Sequence, residues 1–146
     1  MDAPRKPGST GLSGATVLVV EDDFMIYLGL ELTLARAGAR AVVHCTTPAE
    51  ARAFISSCVP RLQGKLVAIL DVRLDGETSL AFAQELRQLA VPFLFYSGQA
   101  DWREVEREFP GAPLLAKPVL PEMMVRALTD LLKKPVSRGA RSKKRI

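Results

Sequence analysis

Acids, a hydroxyl and an ammonium stand at the ends of four short apolar runs. Val17-Leu18-Val19-Val20 runs into Glu21-Asp22-Asp23, and Leu66-Val67-Ala68-Ile69-Leu70 runs into Asp71. Phe93-Leu94-Phe95-Tyr96 runs into Ser97-Gly98, and Leu114-Leu115-Ala116 runs into Lys117-Pro118. Brought together, Glu21, Asp22 and Asp71 would crowd three carboxylates into one pocket. Two unit charges about 4 Å apart repel by roughly 4 kcal/mol at an effective dielectric of about 20. Lys117 offsets one of the three, and the remainder calls for a divalent cation. A hard, oxygen-only donor set suits Mg²⁺, and no His or Cys stands near in sequence, as Zn²⁺ would require. A carboxylate bound to such a cation can attack phosphorus, and aspartyl phosphates are recognised covalent intermediates. Phosphoryl transfer is mostly positioning and charge neutralisation. Mg²⁺ would take one phosphoryl oxygen, Lys117 another, and the Ser97 hydroxyl or a backbone N–H the third. Gly98 leaves space for the incoming group.

These ends meet only if the runs are neighbouring parallel strands, whose carboxyl edge is where open α/β sheets bind ligands. Short apolar runs alternate with segments of helical period, which predicts βαβ units and a parallel sheet. The expected strands are 15–20, 40–45, 66–70, 92–96 and about 114–116. The expected helices are 24–37, ended by Gly38, then 48 to about 57, 79–89, one reaching Phe109, and 121–133. Thr47-Pro48-Ala49-Glu50 reads as a capping box with Pro at the first helical position. Asp101-Trp102-Arg103-Glu104 reads as the cap of the fourth helix. The runs 66–70 and 93–96 look buried on both faces, as central parallel strands are. Pro118 restricts Lys117 to extended geometry, with a cis Lys117–Pro118 bond as a further expectation.

A chain of 146 residues, 48% hydrophobic, suits one domain with a sizeable core. Its two cysteines, Cys45 and Cys58, have no metal-like spacing, so inert thiols in a reducing cytoplasm are expected. No apolar run nears the roughly 20 residues that span a bilayer. Residues 1–13 read as a disordered polar leader, 14–133 as the folded domain, and 134–146 as a disordered basic tail. The net charge of +4 is uneven: residues 14–133 hold twelve Lys/Arg against fifteen Asp/Glu, while 134–146 hold six Lys/Arg and no acid. His44, the only histidine, is expected to be structural. Met123 and Met124 lie on the last helix, and one of them should pack in the core. Taken singly, Asp22 and Asp23 are helix caps, Ser97 a turn serine and Lys117 a surface lysine. Their set and order carry the reading.

With these motifs in place, residues 14–133 resemble the receiver domains of two-component response regulators. The resemblance rests on Val-Val-Glu-Asp-Asp at 19–23, Asp71, Ser97 and Lys117-Pro118, all in order. It implies a flavodoxin-like, doubly wound, five-stranded parallel sheet of order 2-1-3-4-5 with five flanking helices. It implies that Asp71 is the phosphoacceptor, that Asp22 with Glu21 and Asp71 binds Mg²⁺, and that the Arg73 carbonyl completes the protein ligands. Ser97 would sense the phosphoryl group and Lys117 would pair with it. The donor would be a phosphohistidine on a sensor histidine kinase or a histidine phosphotransfer protein. The run 92–98 is similar to stand-alone receivers with a Pro-Phe-x-Phe-Ala-Thr-Gly-Tyr signature, known from alphaproteobacteria, with Tyr96, Ser97 and Gln99 departing from it. Leu114 replaces the Tyr or Phe that many receivers use as a rotating switch, so an aromatic flip is excluded there.

Thirteen residues after Lys133 hold no output domain, so output is expected by protein contact or phosphorelay. The face of the fourth helix, fifth strand and fifth helix is the candidate surface for a downstream protein or a homodimer. On this reading the protein catalyses only its own phosphorylation and dephosphorylation. Two other functions compete. A small Mg²⁺ phosphohydrolase would use Asp71 as nucleophile, but such enzymes commonly carry a second aspartate where Arg73 stands. The basic tail would give at most salt-sensitive, non-specific nucleic-acid affinity.

Overall fold

The computed structural model describes residues 11–133. Residues 1–10 of the expected leader and the whole tail 134–146 lie outside the described residues. Five strands run as β1 (Thr16–Val20), β2 (Ala41–Cys45), β3 (Leu66–Leu70), β4 (Phe93–Ser97) and β5 (Leu114–Ala116). All pair in parallel in the order β2-β1-β3-β4-β5, which is the doubly wound flavodoxin-like topology. The helices are α1 (Phe24–Arg36), α2 (Pro48–Leu62), α3 (Leu80–Gln88), α4 (Trp102–Glu108) and α5 (Pro121–Lys133). A two-stranded antiparallel ribbon, Arg73–Leu74 with Glu77–Thr78, sits between β3 and α3 and was not expected.

The sheet is buried on both faces because its central strands alternate apolar residues toward two cores. Leu18, Val20, Ala68 and Leu70 face one way, onto Ala51, Ile55, Ala83 and Leu86 of α2 and α3. Val17, Val19, Val67 and Ile69 face the other, onto Leu30, Leu34, Met124 and Leu128 of α1 and α5. Met124 is the methionine that enters the core, while Met123 stays exposed. Phe93, Phe95 and Phe109 pack edge-on, with centroids 5.3 to 5.9 Å apart. Leu114 packs against this same core.

Local signals set the helix starts. Asp23 caps α1, its Oδ1 accepting from the Met25 and Ile26 amides at 2.9 and 3.2 Å. Thr47 caps α2 by accepting from the Glu50 amide at 3.1 Å. The Glu50 carboxylate reaches back to the Thr46 amide at 2.7 Å, one residue earlier than a standard capping box. Helix α2 runs on to Leu62, past the expected end near Ser57 and through Pro60. Val59 and Leu62 pack on the core, and that packing outweighs the local cost of proline. The Lys117–Pro118 bond is cis.

Residues 11–13, expected as part of a disordered leader, pack on the domain. Leu12 is fully buried in the α1–α5 core, and Ser13 bridges to Ala39. Gly11 lies so close to α5 that a Cβ there would collide with the Thr129 side chain.

The aromatic cluster carries a test. Phe109→Ala removes a fully buried ring and is expected to cost about 3–5 kcal/mol. Urea denaturation should show this as a lower midpoint with an unchanged slope.

Candidate functional site: an acidic pocket at the carboxyl edge of the sheet

The sheet's own hydrogen bonds place three of the chemistry-bearing residues. The ladder runs one step past the strands. The Glu21 amide donates to the Cys45 carbonyl at 3.0 Å, Asp71 to Val20 at 3.0 Å, and Lys117 to Ser97 at 3.1 Å. Register brings the strand ends level, with Val20 opposite both Cys45 and Leu70, and Ser97 opposite Ala116. Glu21, Asp71, Ser97 and Lys117 therefore converge because their strands do.

Their side chains interlock. Lys117 Nζ lies 2.9 Å from Asp71 Oδ2 and 2.9 Å from Glu21 Oε1. The other Glu21 oxygen accepts from the Asp23 amide at 3.1 Å. Asp71 Oδ1 faces the Arg73 amide and the Ser97 hydroxyl, each at 3.4 Å. Asp22 is exposed at the rim, where its Oδ2 accepts from the Asp75 amide at 2.9 Å. One carboxylate oxygen from each of Glu21, Asp22 and Asp71 lies within 4.8 Å of the others. This convergent, oxygen-only set fits a hard divalent cation such as Mg²⁺. Arg73 follows Asp71 by two residues, but its side chain turns away to Asp101 at 3.0 Å and Glu104 at 3.2 Å.

Burial sets the electrostatics. Desolvation pushes the Glu21 carboxyl up to about 7, and the negative charge of Asp71 adds to the rise. The Lys117 and Asp23 hydrogen bonds pull against it. Desolvation disfavours the Lys117 ammonium too, but hydrogen bonds to Asp71 and Glu21, and their charges, outweigh it and hold the lysine above its ordinary value. Lys117 is the fixed positive charge of the pocket, and Glu21 is the acid most easily neutralised.

His44 lies outside this cluster and supports it from behind. Its ring stacks on Tyr27 with centroids 3.8 Å apart, and its Nε2–H donates to the Glu21 carbonyl at 2.7 Å. Cys45 and Cys58 are buried free thiols. Burial pushes Cys45 up to about 11, which disfavours the reactive thiolate.

Sequence reasoning misread one residue of the pocket. Asp101 precedes α4, but its side chain makes no capping bond. It accepts instead from the Ser97 hydroxyl at 2.7 Å and from Arg73 Nε at 3.0 Å. The available signal was an acid four residues past the hydroxyl, on the turn leaving the same strand.

The sheet order and its five flanking helices are those of the flavodoxin-like receiver fold. A protein described as a response regulator from Chloroflexus aurantiacus J-10-fl superposes with a TM-score of 0.71 at 29% identity, over 84% of this chain and 100% of that one. A response regulator receiver protein from Sinorhizobium medicae WSM419 gives 0.70 at 23% identity, over 83% and 96%. The N-terminal signal receiver domain of a two-component response regulator from Bacteroides fragilis gives 0.68 at 20%, over 84% and 99%. No protein-family model and no curated protein matches the sequence. The receiver fold supports a role in two-component signalling. Among the described residues, no helix is long and apolar enough to cross a membrane.

Glu21 gives a pH test. With its carboxyl raised from 4.5 to about 7, the folded protein holds a proton that the unfolded chain has released between those values. The stability this represents is full below the unfolded value and lost as pH rises through about 7. Lys117, raised above 10.5, keeps its charge throughout that window. Without divalent cations, unfolding free energy should fall from pH ~5 to pH ~8 by on the order of 3 kcal/mol. Chemical denaturation across pH should show the slope in the wild type and its loss in Glu21→Gln.

Proposed function

We propose that the chain is a receiver that takes a phosphoryl group onto Asp71 from a phosphohistidine, on a sensor histidine kinase or a histidine phosphotransfer protein. One observation carries this reading: the Lys117 ammonium bridges Asp71 and Glu21 at 2.9 Å each, with the Ser97 hydroxyl beside Asp71 on the same sheet edge. In the transfer, an Asp71 oxygen attacks phosphorus and the phosphorus–nitrogen bond breaks. The electron pair returns to the donor's imidazole. Lys117 leaves its contact with the Asp71 carboxylate and neutralises a phosphoryl oxygen, while Ser97 donates to another. Glu21, Asp22 and Asp71 would hold Mg²⁺, with the Arg73 carbonyl as a further ligand. When bound, the ion supplies charge neutralisation at the phosphoryl oxygens.

The protein acts on itself and turns over no substrate. We place it with stand-alone receivers on the run Pro92–Gly98, in the cytoplasm, with residues 14–133 and the packed residues 11–13 as the receiver proper, the rest of 1–13 as a leader and 134–146 as a basic tail. Output then passes by protein contact or phosphorelay through the α4, β5 and α5 face, which also serves any homodimer. Phosphorylation shifts a two-state equilibrium in that face. The rival phosphohydrolase reading is weakened because Arg73, at the position of a second catalytic aspartate, is paired with Asp101 and Glu104.

Radiolabel transfer from the cognate kinase tests the assignment. Asp71→Asn should reduce incorporation to background, and label persisting there would remove Asp71 from the role. Lys117→Ala should slow transfer about 10²- to 10³-fold, the usual loss when one positioned charge at the reacting centre is removed. Asp22→Asn should weaken Mg²⁺ binding and phosphorylation together. An unchanged Mg²⁺ titration, followed by Trp102 fluorescence, would remove Asp22 from the ligand set.

A further inference from the structure

Asp101 is 7% exposed, and a buried carboxylate is costly unless its oxygens are engaged. Both are. Oδ2 accepts the Ser97 hydroxyl at 2.7 Å, and Oδ1 accepts Arg73 Nε at 3.0 Å. Arg73 continues to Glu104 at 3.2 Å. The series Ser97, Asp101, Arg73, Glu104 ties the end of β4, the start of α4 and the segment after Asp71 into one network. It lies on the opposite side of Asp71 from the Lys117–Glu21 pair, since it engages Asp71 through Oδ1 and Lys117 engages it through Oδ2.

A serine hydroxyl has one hydrogen to give. Ser97 Oγ is 2.7 Å from Asp101 Oδ2 but 3.4 Å from Asp71 Oδ1, so Asp101 takes it. A short contact to an ionised acceptor is among the stronger hydrogen bonds. For Ser97 to donate to a phosphoryl group on Asp71, it must leave this bond.

We propose that Asp101 is a latch and a positioning residue. In the resting protein it holds the Ser97 hydroxyl away from Asp71, with Arg73 seated on its other oxygen. It thereby sets how readily the pocket accepts a phosphoryl group and how far the start of α4 responds. The inference rests on Asp71 being the phosphoryl acceptor. When Ser97 exchanges Asp101 for a phosphoryl oxygen, Asp101 is left with Arg73 alone. Because Asp101 immediately precedes α4, the local change at the hydroxyl is passed directly to that helix.

Beryllofluoride, a non-covalent stand-in for the phosphoryl group, allows the test on the full chain with Mg²⁺ present. Binding is read by Trp102 fluorescence and by the amide resonances of residues 97–108. Asp101→Ala should bind beryllofluoride about tenfold more tightly, the order expected when a competing charged acceptor is removed. Its amide resonances before ligand is added should already lie partway toward those of the wild-type complex. Asp101→Asn keeps the side-chain shape, should gain less in the same direction, and decides the matter if Asp101→Ala does not fold. In a Ser97→Ala background the gain should vanish, because no hydroxyl remains to be released. A folded Asp101 variant that binds no better than wild type overturns the latch, as does a gain that persists without Ser97. If the wild type shows no response to beryllofluoride with Mg²⁺, the acceptor assignment falls and the latch falls with it.

Discussion

The pocket depends on one half-buried cation placed between two buried acids. Lys117 holds Asp71 and Glu21 at equal distance, and without it two carboxylates would face each other in a desolvated space. The arrangement is deliberately incomplete. One ammonium cannot neutralise Glu21, Asp22 and Asp71 together, and burial answers part of the excess by making Glu21 easy to protonate. The rest of the excess is charge that a divalent cation, if bound there, would neutralise. A fully balanced cluster would be a structural salt bridge and nothing more.

The fold fixes these charges through its backbone. Each side chain that meets Lys117 follows a strand whose ladder extends one residue further, so Glu21 and Asp71 are located by main-chain bonds. The strands themselves are held by two apolar cores, one on each face. Side-chain positions in such a pocket are therefore as firm as the sheet, and mobility is left to groups with alternative partners. Ser97 is one such group, as it stands within reach of two acceptors.

Much of this was legible in the residues. Each apolar run of strand length became a strand, because a parallel strand covered on both faces needs little beyond β-branched and aliphatic side chains. The acids, hydroxyl and lysine that stop those runs became neighbours for the same reason. What escaped was decided by contacts distant in sequence. Helix α2 gained a turn through Pro60 because Val59 and Leu62 found the core. Asp101 looked like a cap from its place before a helix, yet the pocket offered it a hydroxyl and a guanidinium. The ribbon after Asp71 is two residues a side, too short to leave any alternation to read.

The segment before β1 bears on where this domain begins. Gly11 and Leu12 wedge against α5 and fill the space between it and α1. A shortened version started at the first strand would pull a stopper from the hydrophobic interior, beneath the helix expected to carry output. Such a truncation would confuse loss of packing with loss of signalling, and the wedge should be kept in any minimal form of the protein.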